Sequence, residues 1–141
     1  RIFNWIGIID QLATARAERT LADLKLPFPQ FVMLNHFSHR PAEAKTVTSV
    51  AQALQQPQPG VTKTIQKLVA RKFLKSDPAP GDARSKLLTV TPKGLEIHQR
   101  AIAAFVPRFA EAFQGWDDKE MEDLVRHLDR LKVWMDSKGR E

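Results

Sequence analysis

The chain has 141 residues, 43% of them hydrophobic, a formal net charge of +6 and no cysteine. That is enough apolar material to build a core, so extensive disorder is not expected. The missing cysteines exclude disulfides, thiolate metal sites and cysteine nucleophiles together, and no stretch holds the roughly 18 consecutive apolar residues of a membrane span.

The apolar opening Ile2-Phe3-Asn4-Trp5-Ile6-Gly7-Ile8-Ile9 is broken by Asn4, followed by Asp10 and ends in no small-residue cleavage pattern. It therefore reads as the start of a helix rather than a signal sequence, and the expected location is cytoplasmic. Ile2, Ile6, Ile9, Ala13, Ala17, Thr20 and Leu24 recur at three- and four-residue steps and predict a helix over 2–24. Pro27 and Pro29 close it, and a second helix over about 29–39 carries Phe31, Val32, Leu34 and Phe37. Residues 40–44 connect it to a short third helix near 47–55, with Val47, Val50, Ala51 and Leu54 inward and Thr46 or Thr48 as N-cap. Gln56-Pro57-Gln58-Pro59-Gly60 reads as a turn, because two prolines do not fit a helix interior. Val61, Ile65, Leu68 and Val69 then mark a fourth helix to about Lys72. Two short helices about a tight turn are the helix-turn-helix outline.

The period then changes. Lys75-Ser76-Asp77, a turn over Pro78–Asp82 and a returning strand Lys86–Val90 form a hairpin, a wing directly behind the fourth helix. Thr91-Pro92 opens a long helix with Thr91 as N-cap, striped by Ile97, Ala101, Ile102, Phe105, Phe109 and Phe113 and interrupted by Pro107. Asp117 and Glu120 form a capping box for a last helix lined by Met121, Leu124, Leu128 and Leu131. The fold class expected is mainly α with a small β wing: a winged helix-turn-helix over 41–94, flanked by dimerisation helices in 1–40 and 95–141.

Charge is concentrated in that middle. Between Lys45 and Lys93, nine basic residues stand against two acids, Asp77 and Asp82, giving +7 and leaving −1 for the remainder. A basic module between near-neutral flanks suits a polyanion partner, double-stranded DNA above all. The plainer alternative is a solvated basic face with no partner.

Asp82-Ala83-Arg84-Ser85, followed by Leu88, Thr91, Pro92 and Gly94, resembles the wing signature of the MarR family of winged helix-turn-helix regulators. Thr46–Ala51 is similar to that family's first helix of the helix-turn-helix, and Val61–Leu68 to its recognition helix. The chain departs from the family's usual pattern at Lys72, where Gly is usual, and at Pro57, Gln58 and Pro59, where a small polar cap is usual. The resemblance implies a transcriptional regulator, with repression the expected sense.

With Val61, Ile65 and Leu68 turned to the core, Thr62, Lys63, Gln66 and Lys67 share the opposite face of the fourth helix. In a major groove, Gln can pair with adenine, Lys with guanine, and Thr with a phosphate or a thymine methyl. Gln58 and Gly60, at the helix start, are placed to approach a phosphate. Arg84 at the wing tip suits a narrow, electronegative minor groove. The resemblance gives Arg84 the same role and has Asp82 position it by a charge-assisted pair. Lys86, Lys75 and Lys45 are expected on the DNA backbone.

The outer helices carry more apolar surface than a winged module can cover. A homodimer is therefore expected on a pseudo-palindromic operator with half-sites about one helical turn, ~10 bp, apart. The resemblance further implies a small aromatic or anionic effector in a cleft beside the dimerisation helices, for which Trp5, Arg16, His36 and His39 are candidates. His36 and His39 stand three apart but lack cysteine or an acidic cluster, so no metal is expected. No cofactor is expected, and no glycine-rich phosphate loop, nucleophile elbow or His-Glu-x-x-His suggests an enzyme. The alternative reading is an architectural or non-specific DNA-binding protein, which the charge alone supports equally well.

Overall fold

A computed structural model describes residues 1–138. Its elements run α1 (Ile2–Ala22), α2 (Phe28–Ser38), α3 (Val47–Leu54), α4 (Gln58–Ala70), β1 (Leu74–Ala79), β2 (Asp82–Val90), α5 (Pro92–Ala110), a single 3-10 turn (Glu111–Phe113) and α6 (Asp118–Ser137). This is the mainly helical, winged architecture expected. Two compact units divide the chain, Arg1–Phe105 and a second beginning at Val106.

Local chemistry sets most boundaries. Thr46, not Thr48, caps α3: Ser49 N donates to Thr46 Oγ1 at 3.1 Å, and Thr46 N donates to Ser49 Oγ at 3.1 Å. The expected turn over 56–60 is shorter, because α4 already begins at Gln58 and carries Pro59 in its first turn. First-turn N–H groups have no intrahelical acceptor, so a proline there sacrifices no bond. α4 closes in a Schellman arrangement: Phe73 N donates to Leu68 O and Lys72 N to Val69 O, both at 2.9 Å. Lys72 takes the left-handed φ of 64° this closure needs, a conformation that glycine adopts without the Cβ penalty.

The wing is likewise longer than expected. β1 and β2 pair antiparallel from Leu74↔Val90 to Ala79↔Asp82, leaving only Pro80 and Gly81 at the tip, with Gly81 at φ 78°. Lys45 adds a rung at the root, its backbone exchanging hydrogen bonds with Leu88 at 2.9 and 2.8 Å. Behind the wing, Thr91 Oγ1 donates to Lys72 O at 2.6 Å and accepts from Gly94 N at 3.0 Å. A Cβ on Gly94 would run into the Phe73 carbonyl, so Thr91 and Gly94 lock the start of α5 onto the end of α4.

The core lies in the first unit. Leu21, Leu34, Phe37, Val50, Val61, Leu68, Leu74 and Leu88 are at most 2% exposed, each contributing about 1.5–3 kcal/mol by burial. The expected stripe of α1 is realised only in its last turns, where Ala17, Thr20 and Leu21 are buried. Ile2, Phe3, Trp5, Ile9 and Leu12 stay exposed. α5 buries Gly94, Ile97 and Ala101, leaves Ile102 exposed, and ends three residues after Pro107 rather than reaching Phe113. In the second unit, the Asp117–Glu120 capping box forms as expected, with Glu120 N donating to Asp117 Oδ1 at 2.8 Å, and no residue of α6 is buried. Among the described residues, no helix is long and apolar enough to cross a membrane.

Candidate nucleic-acid interface

α4 buries Val61, Ile65 and Leu68 and turns Lys63, Gln66 and Lys67 to solvent. Its first turn exposes Gln58 and Gly60, and its N-cap, Pro57, supplies no side-chain acceptor. Donors at this end are therefore not capped by the preceding side chain. Thr62 is half-buried, and its hydroxyl donates to Gln58 O at 2.9 Å. With Val47, Gln66, Ser76, Lys86 and Leu88 it lines a groove of about 430 Å³ between the helix-turn-helix and the wing.

At the wing tip, Asp82 acts on the backbone. Its Oδ1 accepts from Arg84 N at 3.0 Å and its Oδ2 from Ser85 Oγ at 2.9 Å. The Arg84 amide, then the Ser85 hydroxyl, hold the carboxyl below the usual range. The expected side-chain pair with Arg84 is thus replaced by an Asx-type turn, which a two-residue spacing favours. The Arg84 side chain is exposed, and no ion pair to it forms among the described residues. Lys86 is exposed on β2 nearby.

Two other basic residues of this segment have acidic neighbours. The Lys45 side chain is only 12% exposed and pairs with Glu43 at 3.4 Å. Lys75 is exposed but sits 3.6 Å from Asp77. Arg71, counted in the basic segment, bonds inward to Gln30. Counting charges along a sequence does not separate inward from outward cations. A polar Gln30 on the stripe of Met33, Leu34 and Phe37 was the available signal that some cation turns in.

The effector candidates are dispersed. Trp5 and Arg16 lie eleven residues apart on α1, about 16 Å along its axis. His36 is half-buried on α2, with the edge of its ring against Phe37, and His39 caps the same helix. Burial, then Lys45 and His39, push the His36 pKa down. His98 finds a partner that the sequence did not suggest: its Nε2 lies 2.9 Å from Asn35 Oδ1, and its ring stacks on Phe31 at 5.8 Å. Burial lowers its pKa also. Among the described residues, no group of three or more His, Asp or Glu side chains could hold a metal ion.

Comparison with known proteins agrees with this geometry. No curated protein matches the chain. The chain is similar in structure to a MarR protein from Peptoclostridium difficile (22% identity, 94% of this chain and 85% of that one, TM-score 0.80). It is also similar to MarR from E. coli in its apo form (20%, 93% and 96%, TM-score 0.80), and to MepR from S. aureus in a DNA complex (17%, 96% and 98%, TM-score 0.81). These likenesses carry the fold. A MarR family model matches residues 22–85, from the end of α1 through the two helices of the helix-turn-helix to the wing tip. That match takes in the helix-turn-helix and most of the wing, and the winged helical fold around it is the one these MarR proteins share.

Proposed function

We propose that the protein is a sequence-specific DNA-binding regulator that acts as a homodimer on a pseudo-palindromic operator, in the repressing sense. The observation that carries this is the pairing of two exposed features on one compact unit. One is a helix presenting Lys63, Gln66 and Lys67 opposite its buried stripe; the other is a hairpin with Arg84 exposed near its tip. Lys63 and Gln66 reach base edges in the major groove, Lys67 and Lys86 contact phosphates, and Arg84 enters the minor groove. Gln58 and Gly60 donate to a phosphate at the start of α4, Thr62 contributes its methyl face, and Asp82 shapes the turn that presents Arg84. That a relative, S. aureus MepR, was solved bound to DNA supports double-stranded DNA as the partner.

The winged module spans 41–94, with 1–40 and 95–141 forming the dimer. Exposed Ile2, Phe3, Trp5, Ile9 and Leu12 on α1, and Val125, Leu128 and Trp134 on α6, are the surface a second copy covers. A small aromatic or anionic effector releases the DNA by favouring a dimer geometry with the wrong helix spacing. Trp5, Arg16, His36 and His39 are its candidate contacts, drawn from both copies.

Arg84→Ala tests the reading. Affinity for an operator fragment falls while dimer mass and helicity stay constant; undiminished affinity would remove the wing from the mechanism. Gln66→Ala costs ~1–3 kcal/mol at particular base positions only, whereas a uniform loss across sequences would demote it to a phosphate contact.

A further inference from the structure

Arg71 belongs to the basic segment by sequence but not by position. It is the C-cap of α4, half-buried, and its Nη1 donates to Gln30 Oε1 at 2.7 Å. Its guanidinium carbon lies 4.7 Å from the centre of the Phe73 ring. Gln30, in the first turn of α2, is 7% exposed and shares the buried face of Met33, Leu34 and Phe37. A buried amide oxygen left without a donor is unfavourable, so the core position of Gln30 depends on Arg71. A planar guanidinium bonded by an amide and laid on an aromatic face is fixed in direction, which an ammonium group would not be.

At the other end of α4, Val61 packs in the core but Pro57 gives no side-chain cap. The helix is 13 residues long, about 20 Å, so a small tilt about its C-terminal end displaces Lys63 and Gln58 by an ångström or more. Base contacts tolerate about 0.5 Å.

We propose that Gln30 and Arg71 are positioning residues for DNA reading: their bond holds the C-terminal end of α4 on α2 and so sets the angle at which Lys63, Gln66 and Lys67 meet the base edges. The proposal rests on α4 being the reading helix. It also makes α2 the element through which a change elsewhere in the protein reaches the reading helix.

The test compares operator and random-duplex affinity, their salt slopes and thermal melting for Gln30→Leu, Arg71→Leu and the double variant. Each single change is expected to lower the operator-to-random ratio on the order of tenfold. Random-duplex affinity and salt slope should stay at wild-type values, because Lys63, Lys67, Arg84 and Lys86 are intact, and the double variant should be no worse than either single. If Arg71→Leu lowers both affinities and reduces the salt slope by about 1 while Gln30→Leu behaves as wild type, Arg71 is a phosphate contact and the proposal fails. An unchanged ratio despite a lower melting temperature overturns it too, leaving a purely structural bond. Should the leucine variants not fold, Arg71→Lys retains the charge without the planar fork; it should lower the ratio, and a wild-type ratio refutes the proposal. A ratio of one in the wild-type protein would overturn the DNA reading itself, and the positioning role with it.

Discussion

α4 and α6 follow the same plan, with apolar residues at every third or fourth position and charge on the other side, yet they end in opposite situations. In α4, Val61, Ile65 and Leu68 are 0–4% exposed, because α2, α3 and β1 close over them. In α6 nothing is buried, and Val125, Leu128, Val133 and Trp134 are 46–65% exposed. Its local supports are a capping box and the exposed pairs Lys119–Asp123, Arg126–Asp123 and Lys132–Asp136, and exposed pairs contribute little each. Amphipathicity therefore states that a helix needs a partner, not where the partner is. The face of α4 is satisfied inside the chain, which frees its polar side for a ligand. That of α6, like the first half of α1, awaits a second surface.

The sharpest way to break that contrast is to charge α6. Leu128→Glu with Leu131→Glu should turn the dimer into a folded monomer by light scattering and cost ~10²–10⁴-fold in operator affinity as the two half-sites uncouple. A dimer of unchanged mass would place the interface elsewhere. Next comes truncation: Leu68→Ala should cost about 2–5 kcal/mol in denaturant unfolding, while Leu128→Ala at concentrations too low for dimers should cost far less. Equal losses would erase the difference between the two helices. Lys72→Gly sharpens the account of how α4 ends, since a lysine at φ 64° is strained; a stability gain of up to about 1 kcal/mol is expected, and a loss would deny the strain.

The smallest effect is that of pH on the half-buried corner of His36 and His98. Both pKa values are depressed below the 6.5 of a free histidine, by burial first. Above that value both states are neutral and contribute nothing. As pH falls below it, the unfolded chain takes up protons first, so stability declines until the folded-state values are passed. Melting temperature should drop between neutral and acidic pH more in the wild type than in His36→Gln/His98→Gln; identical slopes would show that other groups control it.

The helix-turn-helix and the wing were legible because the hydrophobic period switches between Lys72 and Lys75 and because Thr91-Pro92 and Asp117–Glu120 are strong helix starts. Boundaries at prolines were not. Pro59 looked like a turn residue but sits in the first turn of α4, and Pro78 looked like a turn residue but pairs within β1. In the candidate interface, the exposed face of Lys63, Gln66 and Lys67 followed from helical spacing, whereas Thr62, expected beside them, is half-buried. The inward turn of Arg71 did not follow, because it depends on Gln30, a partner distant in sequence that tertiary packing brings beside it. The resemblance implies a charge pair between Asp82 and Arg84, whereas the short spacing lets the backbone amide reach the carboxylate.

The most direct measurement is duplex-binding anisotropy with DNA flanking the protein's own gene, at several salt concentrations and against excess random competitor. Tight binding that survives the competitor, with affinity falling steeply as salt rises, is the result expected. Equal affinity for both DNAs would contradict it and make the protein an architectural binder, its basic module indifferent to sequence.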